Sequence, residues 1–324
     1  MLTFSEMYTA RWAAGKHVCI GLDPDLDQIP KCVPGDTDAQ RVFNFLKDIV
    51  DATYEYAAAF KPQIGYFEDG VFELEALEVL RQIIDYIRSI DANIPIILDF
   101  KRGDIGRTNQ PYVREAFNFY MVDAVTVHPY LGMEAMEPFL AMTHKTIIVL
   151  CRTSNPGAGE FQDLECIALR DKKSGRVYST HYEYMREVGG DEPGDDHFDK
   201  VHMKLYEFVA LRVAQAWNKN DNCIIVVGAT YPGELGEIRK LVGDMLILIP
   251  GIGTQGGDLA ASYANGRNST GGGTIFNNSS AILFAYLKLR DEANKLKYKP
   301  EQFAEASAEA AKSMNDAVAT LVAA

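Results

Sequence analysis

What the chain lacks narrows its function before any motif is read. No apolar run approaches the roughly 18 residues that a membrane-crossing helix needs. The opening MLTFSEMYTARWAAGK has no signal-peptide core, so the expectation is a soluble, cytoplasmic protein with no membrane partner. Positive charge is scarce: 32 Lys and Arg against 45 Asp and Glu leave a net charge of −13. That balance argues against nucleic acid as a partner, although a local site for a small anion remains compatible with it. Cysteines number five, with no C-x-x-C pair, which suits reduced cytoplasmic thiols rather than a disulfide frame. Cys19, Cys151 and Cys223 sit in or beside apolar runs, where the default role is small core filler. The six histidines form no H-x-x-x-H or H-E-x-x-H pair, so no metal set stands out. The chain also has no G-x-S-x-G elbow or P-loop, which removes common hydrolase and kinase readings.

What is present is a regular alternation. Short apolar runs at 17–22, 57–61, 94–99, 123–127, 146–150, 223–228, 245–249 and 273–276 read as strands. Between the first two, Val42, Phe45, Leu46, Ile49, Val50, Thr53, Tyr54 and Ala57 keep the i, i+3, i+4, i+7 rhythm of an amphipathic helix. Similar helical patterns follow near 70–90, 107–120, 133–142, 200–218, 231–242, 255–264 and 278–294. Eight strand–helix units without a change of composition predict one α/β domain over 1–324, a (β/α)8 TIM barrel, with a doubly wound open sheet as the alternative. Residues 151–199, after the fifth strand, are too long for a plain connection and are expected to form an inserted active-site loop or hairpin region. Within them, CIALRDKKSGRVYSTHY predicts a hairpin turning at Ser174-Gly175, and GGDEPGDDH an exposed turn. Residues 300–323 predict an extra Ala-rich C-terminal helix on the outside.

The densest chemistry follows Ile94-Pro95-Ile96-Ile97-Leu98, in Asp99-Phe100-Lys101-Arg102-Gly103-Asp104. Side chains alternate along a strand, so Ile97, Asp99 and Lys101 share one face, and Ile96, Leu98 and Phe100 the other. Desolvating charges is costly, and packing alone does not put them at the end of a core strand. A salt-bridged strand end would account for one pair, whereas four charges in six residues (Asp99, Lys101, Arg102 and Asp104) point to a catalytic site. In a barrel the carboxyl ends of the strands form the mouth. There Asp23 and Asp25 would follow the first strand, Lys61 the second, His128 the fourth, and Thr153-Ser154-Asn155-Pro156 the fifth. Pro250-Gly251-Ile252-Gly253-Thr254-Gln255-Gly256-Gly257 would follow the seventh and Asn277-Asn278-Ser279-Ser280 the eighth. That last pair of segments is where barrels cradle phosphate, although a tight turn would by itself need the glycines. His128 reads equally as a pocket residue or as a hydrogen-bonded core histidine.

Asp99-x-Lys101-x-x-Asp104, with Ile105-Gly106 and Thr108, resembles the signature of the orotidine 5′-phosphate decarboxylase family. Ile20-Gly21-Leu22-Asp23-Pro24, Phe60-Lys61-Pro62, Arg152-Thr153-Ser154-Asn155-Pro156 and Pro250-Gly251-Ile252-Gly253-Thr254-Gln255 are similar to it in the same order, the last two in the manner of its longer, second-type branch. The resemblance implies cofactor-free, metal-free conversion of orotidine 5′-monophosphate (OMP) to uridine 5′-monophosphate (UMP). It makes Lys101 the acid that protonates C6, sets Asp99 against the departing carboxylate, and has Lys61 bond Asp99 and the ribose. Asp23 would hold ribose hydroxyls, Ser154 would read the pyrimidine edge and Gln255 would hold the phosphate, with Pro250, Asn278, Ser279 and Ser280 also at the substrate. Asp104 and Thr108 would reach into a neighbouring subunit's site, which implies a homodimer.

One position departs from the pattern. The family places arginine at the start of the helix after the eighth strand, where this chain has Ser280. A serine brings one neutral hydrogen bond and no charge, and a charge-assisted bond is worth roughly 1.5–3 kcal/mol. Arg267 precedes the eighth strand and so belongs at the opposite face. Two other functions stay open at this level: a sugar-phosphate barrel lyase using a divalent metal through the same acids, and a nucleotide-binding barrel weakened in catalysis by the missing arginine.

Overall fold

The barrel strands are runs whose side chains are buried on both faces, as strands covered by helices outside and by one another inside must be. The computed structural model describes residues 2–68, 75–252 and 256–324. The first five strands are β1 (Val18–Leu22), β2 (Ala57–Pro62), β3 (Ile97–Arg102), β4 (Ala124–Val127) and β5 (Thr146–Arg152). An insertion contributes β6 (Glu165–Asp171), β7 (Val177–Tyr178) and β8 (Phe198–Lys204), and the barrel resumes with β9 (Cys223–Val227), β10 (Ile247–Pro250) and β11 (Thr274–Asn278). The barrel strands pair in parallel in the order β2-β1-β11-β10-β9-β5-β4-β3. The two ends of that order meet through bridges Phe60–Ile96 and Gln63–Asp99, with Phe60 N donating to Pro95 O at 3.0 Å. The sheet therefore closes on itself. The (β/α)8 barrel is the fold, and the open-sheet alternative falls.

Alternation divides the core in two. Cys19, Ala58, Ala59, Ile97, Ala124, Ile148, Ile224, Val226, Leu248 and Ile275 fill the interior, while Ile20, Phe60, Leu98, Val125, Val149 and Phe276 face the surrounding helices. Helix α1 (Phe4–Ala13) seats Phe4 and Tyr8 in the interior cluster, and the Tyr8 hydroxyl donates to Thr274 O at 2.7 Å. Around the barrel run α2 (Asp38–Thr53), α3 (Glu75–Ile90), α4 (Gly106–Arg114) and α5 (Gly132–Leu140). The insertion carries α6 (Gly159–Gln162) and α7 (His181–Val188). After it come α8 (Leu205–Arg212), α9 (Pro232–Val242), α10 (Leu259–Gly266), α11 (Ser280–Leu283) and α12 (Phe303–Ala323). The spacing in α2 is the one the sequence shows: Thr37 caps it by accepting from Gln40 N, and Val42, Phe45, Leu46, Ile49 and Val50 are buried.

Two expected helices are corrected. The pattern near 200–218 becomes helix only from Leu205, because residues 198–204 form β8, antiparallel to β6 in a separate three-stranded sheet with β7. The pattern near 278–294 yields a single helical turn, α11, and then a 3-10 turn at Ala285–Leu287. Phe284, at φ −112° and ψ 33°, leaves helical geometry between them. The C-terminal helix α12 is present; it packs against α2, α10 and α11 and occupies the space beside β1 that short α11 leaves. The hairpin between β6 and β7 forms, with Gly175 at φ 72° in its turn. Residues 70–74 of the pattern near 70–90 lie outside the described residues, as does 255 of the pattern near 255–264.

Candidate active site

Register sets the depth of each charged side chain at the mouth. Gly21 lies opposite Lys61 across β1 and β2, and Gln63 opposite Asp99 across the closing seam. The inward positions of β3 run Ile97, Asp99, Lys101, so Asp99 enters one layer above the apolar interior. Its carboxylate is caught from three sides: Lys61 Nζ donates to Oδ2 at 2.8 Å, Lys101 Nζ to Oδ1 at 2.6 Å, and the Thr126 hydroxyl to Oδ1 at 2.8 Å. Burial works against the Asp99 charge, but the two ammonium groups outweigh it and hold the carboxyl well below the usual carboxylate range. Burial likewise opposes the Lys61 charge, and Asp99 and Asp23 more than offset it, so Lys61 is held above its ordinary value. Asp23 lacks so close a partner; burial pushes its carboxyl up against the pull of Lys61, and one of its oxygens is buried without a hydrogen bond. Lys101 has φ 46°, a left-handed geometry rare for a residue with a side chain, where the β3–β4 register slips. Its backbone N donates to Thr126 Oγ1 at 3.1 Å, so one threonine holds both the bulge and the carboxylate.

Beside this cluster lies a cavity of about 250 Å³, lined by Asp23, Asp25, Gln28, Lys61, Tyr66, Pro250, Ile252, Asn278, Ser279 and Ser280 among others. Ser279 enters it only because residue 21 is glycine: a Cβ there would stand 1.8 Å from Ser279 Oγ. Ser280, in the family's arginine position, accepts from Lys288 Nζ through its carbonyl at 2.8 Å and its hydroxyl at 3.1 Å.

The other expected residues lie further out. Ser154 is half-buried on the fifth-strand loop against Gly228, away from that cavity's lining. Asp104 sits in the turn before α4, its Oδ1 accepting from Ile105 N at 2.6 Å, and Thr108 is exposed on α4. Gln255 lies outside the described residues. His128 Nε2 stands 3.0 Å from Gly103 O and ties the loops after β3 and β4 together. A Cβ at Gly103 would lie 2.4 Å from that nitrogen. Arg152 binds Glu234 at 2.6 Å and Asp163 at 3.2 Å, joining β5 and the insertion to α9. Cys19 is interior filler, its thiol pushed up to about 12 by burial. Thr126, Tyr66 and Gln28 were not anticipated at the site. Thr126 was within reach, since it is the polar residue at an inward position of an otherwise apolar strand.

Among the described residues no three of His, Cys, Asp and Glu are grouped to hold a metal ion. The arrangement can place an ammonium beside a ligand's carboxylate or developing carbanion and hold hydroxyls against Asp23. A closed barrel with an acid–base cluster and a polar cavity at the carboxyl ends of its strands defines a (β/α)8-barrel enzyme. Residues 16–190 match the Orotidine 5'-phosphate decarboxylase / HUMPS family. The chain is 44% identical over 285 residues to an orotidine 5'-phosphate decarboxylase of Janthinobacterium sp., covering 88% of this chain and 90% of that one. It is 40% identical to the enzyme so named from Bordetella pertussis, over 98% of each chain. The solved structure of Leishmania donovani OMP decarboxylase superposes with a TM-score of 0.72 at 28% identity, over 100% of both chains. The chain belongs to the orotidine 5'-phosphate decarboxylase family.

Proposed function

We propose that this protein decarboxylates OMP to UMP in pyrimidine biosynthesis, without cofactor or metal. The observation that carries the reading is the Asp99 carboxylate clasped by Lys61, Lys101 and Thr126 beside a polar cavity. The bond from C6 to the carboxylate breaks, the electron pair stays on C6, and a proton from the Lys101 ammonium replaces the departing CO2. Lys101 then recovers a proton from water. The ring cannot delocalise the C6 charge, so an adjacent, pre-placed ammonium is the stabiliser the step requires. Asp99 repels the substrate's carboxylate in the ground state and not after CO2 has left. One such contact is worth roughly 4 kcal/mol at about 4 Å with an effective dielectric near 20. Enzymes lower barriers by about 8–23 kcal/mol, so repulsion alone is too small and Lys101 with remote phosphate binding supplies the remainder.

Asp23 and Lys61 take ribose hydroxyls, Ser154 the pyrimidine edge, and Pro250, Gln255, Asn278, Ser279 and Ser280 the phosphate side. Asp104 and Thr108 serve the site of a second copy in a homodimer. Support for the dimer comes from the same loops: Thr108 is exposed, and the apolar Ile105 and Tyr130 beside these turns are 65% and 87% exposed.

Following the loss of OMP absorbance, with and without a chelator, tests the reading. Turnover that ignores the chelator is expected. No turnover at high substrate concentration would sink the proposal, and activity abolished by the chelator would instead favour a metal-dependent sugar-phosphate lyase.

A further inference from the structure

We propose that Lys288 supplies the positive charge for the ligand's phosphate in place of the arginine that Ser280 displaces. The proposal rests on the decarboxylase reading and adds to it a residue eight positions along the chain. After the single turn of α11 and the 3-10 turn at Ala285–Leu287, the chain brings Lys288 back over the start of α11. Its ammonium donates to Ser280 O at 2.8 Å and Ser280 Oγ at 3.1 Å, and Ser280 lines the cavity together with Ser279 and Asn278. The ammonium thus stands one hydrogen bond from the cavity wall.

Among the described residues no carboxylate pairs with Lys288; its proton affinity is lowered, by burial alone. A cation with no anionic partner beside a polar cavity has charge to spare for a ligand. An ammonium carries three donors, and only two are engaged here. Its flexible four-carbon stem lets it exchange a neutral serine oxygen for a phosphate oxygen, and a charged acceptor binds it more strongly. Arg267 cannot serve, because it ends α10, before β11, where it stacks on Tyr263 at the far end of the barrel. The length of α11 fits the same picture. A chain that continued as helix past Phe284 would carry residue 288 two turns away from residue 280.

The test compares UMP and uridine binding by calorimetry to the wild-type protein, Lys288→Met and Lys288→Arg, alongside steady-state kinetics with OMP. Removing the charge should weaken UMP binding about 10- to 100-fold, the loss of one charge-assisted hydrogen bond. Uridine binding should not change, KM should rise more than kcat falls, and Lys288→Arg should restore most of the UMP affinity. Ser280→Arg placed in the Lys288→Met background should also recover it. Equal losses for UMP and uridine, or unchanged UMP affinity, would overturn the proposal by reducing Lys288 to a cap on the Ser280 carbonyl. In that event wild-type turnover would leave the decarboxylase reading standing. A wild-type protein that neither binds UMP nor consumes OMP would overturn both.

Discussion

Lys61 and Lys101 share one carboxylate but live in different surroundings, and that difference separates stability from catalysis. Lys61 and Asp99 are both largely buried, with side-chain exposures of 5% and 12%, whereas the Lys101 side chain is 45% exposed. Removing one member of a buried pair leaves an uncompensated charge and costs about 3–5 kcal/mol, whereas exposed pairs are worth under about 1 kcal/mol. Asp99→Ala should therefore lose turnover and lower Tm by several degrees. Lys101→Ala should lose at least about a thousandfold in kcat with Tm nearly unchanged; thermal melts beside kinetics would check both. The pair also sets a pH window. Asp99 is depressed, so its contribution to stability is complete above its unfolded value of about 3.9 and fades as pH falls toward its folded value. Lys61 is elevated, so its contribution is complete below about 10.4 and fades only as pH rises through its folded value. Between those limits neither group titrates.

At the scale of elements, β3 and β4 form a unit that the linear pattern only half shows. Alternation correctly put Ile97, Asp99 and Lys101 on the inner face, but the bulge that turns Lys101 to φ 46° depends on Thr126 in the neighbouring strand. Thr126→Val keeps the shape while removing a donor to Asp99 and an acceptor for the Lys101 N–H. It should lower kcat about tenfold to a hundredfold and destabilise the fold by about 1–3 kcal/mol, the cost of a buried group left unpaired; kinetics and denaturant titration would show both.

The eight barrel strands were legible because double burial makes each a continuous apolar run, and α2 was legible because one of its faces is buried. The stretch at 198–204 was not. Val201, Leu205, Phe208 and Val209 keep helical spacing across a strand–helix junction, and β8 is too exposed to show a strict period of two. The run Ile282–Tyr286 is buried throughout, so it carries no period with which to tell a long helix from two short turns. Of the mouth, charges carried on strand ends could be read from the sequence. Lys288 could not, because its place depends on a local reversal rather than on strand position.

For the whole molecule, the mouth is the surface where a second copy would add residues. Ile105 caps α4 and Tyr130 precedes α5, and these helices pack closely, with Asn109 Nδ2 donating to Ala135 O at 2.6 Å. Charging that patch with Ile105→Asp and Tyr130→Asp should convert the proposed homodimer into a monomer in sedimentation experiments. Activity per chain should fall with it, because Asp104 and Thr108 would no longer reach the second site.

The turn before β1 and the helix α12 meet under the first strand. Asn315, on α12, accepts from His17 N at 2.8 Å and donates to Gly15 O at 2.9 Å, across about 300 positions of sequence. β1 likewise waits for β11, its partner from residue 274 onward. A nascent chain leaving the ribosome therefore holds β1 with one edge bare until residues 274–278 have been made. Closure of the ring is a late, long-range event of the kind that slows folding. Until then the growing protein exposes a sticky, unpaired strand, a period in which shielding by chaperones has the most to protect.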